Sequence, residues 1–196
     1  MKLGILIISI IFLTGCNKFL NTRPNLKINY FLQKKIIERN LYNWNNLIKE
    51  ASQKYKVDEK LIKSIIYAES SGNPNAKSSS NAIGLMQIKP SAAGLEVYRL
   101  YGKKGQPSIK ELYNPKENIN IGTAYIHFLE KKFTRIQNKE VMRSAIIVAY
   151  VNGMSGLLKI FSKNSKQAIT IINTMTMQSF CTYIKKNIQQ NKHFLI

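Results

Sequence analysis

Apolar positions recur along most of this chain at helical spacing. Within residues 30–55, Ile37, Leu41, Trp44, Ile48, Ala51 and Tyr55 advance by alternating steps of four and three, which gathers them on one face of an amphipathic helix. Leu61, Ile62, Ile65 and Ile66 continue the pattern. Asp58 stands where a cap would start that second helix, and Ser70, Ser71, Gly72 and Pro74 would end it. Pro90 and Ser91 predict a helix running to Tyr101, followed by a loop over residues 102–108. Asn114 and Pro115 read as cap and first helical residue of a helix passing through Ala124, Tyr125, Phe128 and Leu129. Residues 141–150 form the most apolar stretch and predict a central helix, and residues 157–161, 169–175 and 180–188 predict further ones. Strand signals are sparse, so the expected fold is mainly α.

One position breaks the apolar face of the second helix. Glu69 lies one turn beyond Ile65 and Ile66, on the side that should point inward. Partial burial and the negative end of the helix dipole both disfavour a carboxylate there, so its pKa should rise, which suits a general acid. The alternative is a carboxylate turned outward at a frayed helix end. The following residues, Asn73-Pro74, a polar loop over 77–81 and then Gly84-Leu85-Met86-Gln87, make a turn-rich segment with an unusual mixture of glycine, apolar and amide groups.

Taken together, E-S-S-G-N-P-N-A-K-S and A-I-G-L-M-Q-I-K-P-S-A-A-G resemble the lytic transglycosylase domain of the lysozyme superfamily. V-Y-R-L-Y-G-K-K-G-Q-P-S, L-Y-N-P-K-E-N-I-N-I-G-T-A-Y and A-I-I-V-A-Y-V-N-G extend the resemblance over residues 40–180 and point to one branch, the membrane-bound lytic murein transglycosylases of C type. The resemblance implies a lysozyme-like helical domain, of the goose-type or soluble lytic transglycosylase kind, with a substrate cleft. It implies Glu69 as the catalytic acid and base. Ser70 and Ser78 match serines near that group or near the substrate's N-acetyl group, Met86 and Gln87 match cleft-wall and sugar-binding residues, and Gly84 would let backbone approach the glycan. Tyr125 and Tyr150 match tyrosines lining the cleft. On the residues alone, Ser70 could equally end the helix, and Met86, Tyr125 and Tyr150 could equally be core. The family's Ala-Tyr-Asn is Ala149-Tyr150-Val151-Asn152 here, with a β-branched residue in the asparagine's place and Asn152 one position later.

The chemistry implied is a cleavage without water. Hydrolytic glycosidases usually use two carboxylates, whereas this chain holds ten acidic residues and Glu69 alone sits in such a motif. By resemblance, Glu69 protonates the oxygen joining N-acetylmuramic acid to N-acetylglucosamine, the N-acetyl group stabilises the carbon left behind, and the C6 hydroxyl closes a 1,6-anhydro ring. A lysozyme-like hydrolase and a non-catalytic peptidoglycan-binding lipoprotein are the alternatives.

The N-terminus adds an address. A basic Met1-Lys2, an apolar run over residues 3–13 and Leu13-Thr14-Gly15-Cys16 have the order of a signal peptide and resemble a lipoprotein cleavage site. Residues 1–15 would be removed, Cys16 lipidated, and polar residues 16–29 left as a short tether to a catalytic domain over residues 30–196. Asn17, in place of an aspartate, implies the outer membrane, facing the periplasm.

Charge changes the picture little. The formal net charge is +20, which invites a nucleic-acid reading, but the lysines are scattered and form no recognisable motif. A polyanionic wall and anionic head groups are the expected counterparts. No metal and no cofactor is expected, since His127 and His193 stand far apart and no zinc or calcium spacing occurs. A monomer is expected.

Overall fold

The computed structural model describes residues 35, 36 and 38–190. The signal segment, Cys16, the tether and Ile37 lie outside the described residues. The chain divides into two compact units, one ending at His127 and the other running from Phe128 onward, and each is taken by itself.

In the first unit, the expected helix over residues 30–55 is interrupted by a 3-10 turn at Tyr42–Trp44, after which α1 runs over Asn45–Tyr55. Leu41, Ile48, Ala51 and Tyr55 are buried as the spacing predicts. α1 ends at Lys56 in the left-handed region, φ 57°. Ser52 Oγ then donates to Val57 O at 2.6 Å and turns the chain into α2, Glu59–Ser70. Asp58 caps α2 as expected, accepting from the Lys60 amide at 2.9 Å, and Leu61, Ile62, Ile65 and Ile66 are all buried. α1 packs on α2, and Trp44 Nε1 donates to Gly72 O at 3.0 Å just past the end of α2. Trp44→Phe should keep the ring packing and lose this one bond, costing about 1 kcal/mol in thermal unfolding followed by circular dichroism.

The expected helix from Pro90 begins instead as a π turn, Pro90–Gly94, before α3, Leu95–Leu100. Gly94 donates to Lys89 O at 3.1 Å, and a Cβ on Gly94 would lie 2.6 Å from Pro107 Cγ, so the widened turn lets the backbone pass against the Pro107 ring. A short α4, Ile109–Tyr113, was not foreseen by the hydrophobic pattern; Ser108 caps it by accepting from the Glu111 amide. α5, Pro115–Lys132, starts at the predicted Asn114-Pro115 and runs across the boundary between the units.

In the second unit, α6, Lys139–Asn152, is the apolar helix anticipated from the sequence, with every residue from Ser144 to Ala149 buried. Gly153, at φ 77°, turns the chain sharply into α7, Met154–Phe161. α8, Ser165–Asn173, and α9, Met177–Gln190, follow. Asn138 and Asn164 cap α6 and α8 by accepting from two backbone amides each, and these caps start both helices earlier than the apolar runs alone suggest. α7 packs against α6 and α8, and α9 against α6. Phe161 stacks between Phe180 and Tyr183, with centroids 5.7 and 5.1 Å away.

Among the described residues there is no strand, only isolated bridges pairing Lys77 with Ile83 and Ile83 with Ile88. The mainly α expectation is met. No single helix among them is long and apolar enough to cross a membrane; α6 and α7 would qualify together but are bent by 118° and bury most of their apolar residues in the unit.

Candidate active site

Glu69 occupies the last turn of α2 and is half-buried. Burial raises its pKa from 4.5 to about 7, and loss of solvation is the sole cause. No neighbouring charge or hydrogen bond among the described residues contributes to the shift, so the carboxyl is poised to hold a proton near neutrality because little around it rewards ionisation.

The helix end that carries Glu69 is tied down by its neighbour. Ser70 Oγ donates to Leu85 O at 2.7 Å and lies 3.2 Å from Ile66 O, while accepting from the Gly72 amide at 3.2 Å. Its hydroxyl is thus engaged with backbone and joins the end of α2 to the Gly84-Leu85-Met86-Gln87 segment. Ser71 closes the helix at φ 54°, and a Cβ on Gly72 would lie 2.6 Å from Asn40 O.

The segment facing that helix end is a folded loop of backbone hydrogen bonds. Ile83 and Ile88 exchange bonds at 3.1 and 3.0 Å, and Gly84 donates to Ala76 O at 2.8 Å. Gly84 has φ +77°, and a Cβ there would run into the Asn118 amide and lie 2.6 Å from Leu112 O, so glycine is required twice over. Gln87 holds φ 47°, a conformation that costs a non-glycine residue of order 1 kcal/mol or more. Its side chain offsets this by donating from Nε2 to Gly84 O at 3.0 Å and Ala76 O at 3.2 Å. Ser78 organises the polar turn ahead of this loop, accepting from the Ala82 amide at 3.0 Å and pairing with Ser80 Oγ at 3.1 Å.

Asn118 on α5 anchors the loop from beneath, a role the hydrophobic pattern did not single out. It is fully buried. Its Nδ2 donates to Ile83 O and Leu112 O, both at 2.8 Å, and its Oδ1 accepts from the Met86 amide at 2.8 Å. Met86 itself is buried over Gly122, where any Cβ would strike its sulfur. A signal was available: Asn118 shares the helical face of Gly122, Tyr125 and Leu129, and a polar residue on a buried face must have partners.

Tyr125 is buried on α5, and its phenol pKa is raised by burial first, with the charge of Glu96 adding to it. Glu69, Ser70, Ser78, Gly84, Met86, Gln87 and Tyr125 all belong to the first unit. Tyr150, half-buried near the end of α6, belongs to the second, as does Asn152, whose Nδ2 is buried without a partner among the described residues.

Residues 46–173 match the family model described as the transglycosylase SLT domain. That span holds Glu69, the loop and Asn118 and covers well over half of the chain. The chain belongs to the transglycosylase SLT family. A relative from Buchnera aphidicola subsp. Acyrthosiphon pisum (strain APS), named membrane-bound lytic murein transglycosylase E, is 71% identical over 194 residues, 99% of this chain and 88% of that one. A relative from Enterobacter sp. (strain 638), named endo-type membrane-bound lytic murein transglycosylase A, is 48% identical over 145 residues, 74% of this chain and 71% of that one. The 70 kDa soluble lytic transglycosylase Slt70 of Escherichia coli superposes with a TM-score of 0.52 at 26% identity, over 77% of this chain and 24% of that much longer one. This SLT-family chain therefore has the soluble lytic transglycosylase type of lysozyme-like fold, as the resemblance implied. The relatives carry the names E and A, so the narrower expectation of a C-type branch draws no support from them.

Proposed function

We propose that the chain is a peptidoglycan lytic transglycosylase that cleaves the bond between N-acetylmuramic acid and N-acetylglucosamine, with Glu69 as its sole catalytic carboxyl. The observation that carries this reading is a single glutamate, held at a helix end with a pKa of about 7. Such a group donates a proton and, once ionised, takes one back.

Glu69 in its acid form gives its proton to the glycosidic oxygen as the bond to C1 breaks, and the muramic acid's own acetamido oxygen bonds to C1. The Glu69 carboxylate then removes the proton from the C6 hydroxyl, whose oxygen closes on C1 and displaces the acetamido oxygen. Glu69 ends protonated, no water is consumed, and the product carries a 1,6-anhydro ring. By resemblance, Gln87, Ser78 and Tyr125 of the first unit are sugar-binding residues, and Tyr150 is one within its own unit; Met86, fully buried, supports the loop from within, Gly84 makes room for Asn118 and Leu112 rather than for glycan, and Ser70 holds the helix end in place. No cofactor is needed for this sequence of proton transfers. The remaining assignments rest on the sequence: Cys16 as the lipidated first residue of the mature chain, an outer-membrane anchor facing the periplasm, and a monomeric enzyme.

The test is to incubate the purified chain with peptidoglycan and weigh the released muropeptides. Anhydromuramic ends, one water lighter than reducing ends, are the expected product. Reducing ends would make the chain a hydrolase, and no release by folded protein would make it a binding protein. The first step requires protonated Glu69, so turnover should fall as pH rises through about 7. A rate that climbs steadily to pH 9 would contradict that role.

A further inference from the structure

Residues 99–110 leave α3, cross an open turn and enter α4, and they carry an unusual surface. Leu100, Tyr101 and Ile109 are 49, 54 and 52% exposed, among the most exposed large apolar side chains of the described residues. Arg99, Lys103, Lys104 and Lys110 stand exposed among them, and the segment contains no acidic residue. Of the nearby carboxylates, Glu111 accepts the Tyr98 hydroxyl at 2.5 Å. A further cation joins the patch from α1, where Lys54 lies over the Tyr55 ring and that ring meets Tyr101 edge-on at 6.4 Å.

The backbone holds this surface outward. Gly102 and Gly105 turn with φ +67° and +73° and have open space around them, while the Lys103 amide fastens the turn to Tyr98 O at 2.8 Å. Lys103 Nζ lies 4.8 Å above the Tyr98 ring, which places a cation beside the exposed apolar groups. Leucine, isoleucine and tyrosine flanked by lysine and arginine are the composition that settles at the boundary between head groups and acyl chains. The apolar groups leave water there, the phenol stays at head-group depth, and the cations meet anionic phosphates.

We propose that residues 99–110 form a peripheral membrane-contact surface, in which Leu100, Tyr101 and Ile109 enter the interfacial layer of an anionic bilayer while Arg99, Lys103, Lys104 and Lys110 bind its phosphates. This contact is separate from any anchor at Cys16, and it turns the unit holding Glu69 so that this loop faces the bilayer.

The experiment uses the mature chain from residue 16 with Cys16→Ser, so that no acyl group is present. It is sedimented with vesicles of phosphatidylethanolamine and phosphatidylglycerol, and with neutral phosphatidylcholine vesicles as the comparison. The chain should bind the anionic vesicles and lose binding as salt rises. Lys103→Ala/Lys104→Ala should weaken it roughly 30-fold, at about fivefold per cation near the surface. Leu100→Asn/Ile109→Asn should weaken it at every salt concentration. Circular dichroism and muropeptide release from peptidoglycan fragments should be unchanged in both, because these side chains are exposed and lie outside the candidate site. No binding to anionic vesicles, or equal binding by parent and variants, would overturn the proposal. So would variants that bind vesicles normally but lose retention on purified sacculi, since the surface would then serve the wall.

Discussion

Glu69→Gln should abolish nearly all turnover while making the protein more stable at neutral pH. The loss follows from the proposed chemistry: a positioned acid or base contributes roughly 10² to 10⁴-fold, and in that mechanism one group supplies both proton transfers, so the upper end of that range is expected in muropeptide release. The gain follows from the raised pKa. The carboxyl binds its proton more tightly in the folded chain, pKa about 7, than in the unfolded one at 4.5. Between those values the folded state holds more protons, so stability falls as pH rises. Below pH 4.5 the group is neutral in both states and imposes no penalty. Above pH 7 the whole penalty is present, an upper bound of roughly 3 kcal/mol for a shift of this size. The amide carries no charge, so urea unfolding of the variant should match the parent near pH 4 and exceed it near pH 8. Equal midpoints at both pH values would mean that Glu69 is solvated in the folded chain, and full activity would remove it from the mechanism.

Asn118→Ala should destabilise the protein by about 4 kcal/mol. The alanine removes three buried hydrogen bonds and leaves the carbonyl of Leu112 and the amide of Met86 without partners, each worth about 1 to 3 kcal/mol when stranded, while the Ile83 carbonyl keeps its bond from the Ile88 amide. For a chain of this size the melting temperature should fall by roughly 10 °C. Activity should fall further than stability alone explains, measured well below the melting temperature, because the loop held by Asn118 is the one that Ser70 ties to the Glu69 helix end. Asn118→Asp would place a carboxylate against two carbonyl oxygens and should be worse than alanine. A melting curve displaced by less than about 2 °C would show that the loop holds its shape without this clamp.

Much of this architecture is legible in the chain. The period of Leu61, Ile62, Ile65 and Ile66 fixes which face of α2 is buried, and the same period puts Glu69 next to that face but leaves open an outward turn at the helix end, which its loss of solvation decides against. Asp58 and Asn114-Pro115 announce two helix starts by their own chemistry. Most of what is not legible has a common physical character. The turn at Tyr42–Trp44 and the π turn at Pro90–Gly94 go with close approaches between segments distant in sequence, Trp44 Nε1 to Gly72 O and Gly94 against Pro107, whereas the short α4 carries a local cap at Ser108 but too few residues to show a hydrophobic period. For Asn118 the buried helix face is legible, but its three partners lie 6 to 35 positions away and no local pattern reveals them. Ser70 was visible as a family residue, but that its hydroxyl would be engaged wholly with backbone required the fold.

Trp44 is the chain's single tryptophan, and its indole is bound to the carbonyl of Gly72, just beyond the helix end that carries Glu69. A natural fluorophore therefore sits beside the helix end that carries the proposed catalytic carboxyl. Its emission, with no label attached, reports how that helix end sits as glycan is added, as Glu69 changes protonation, or as the Asn118 clamp is cut.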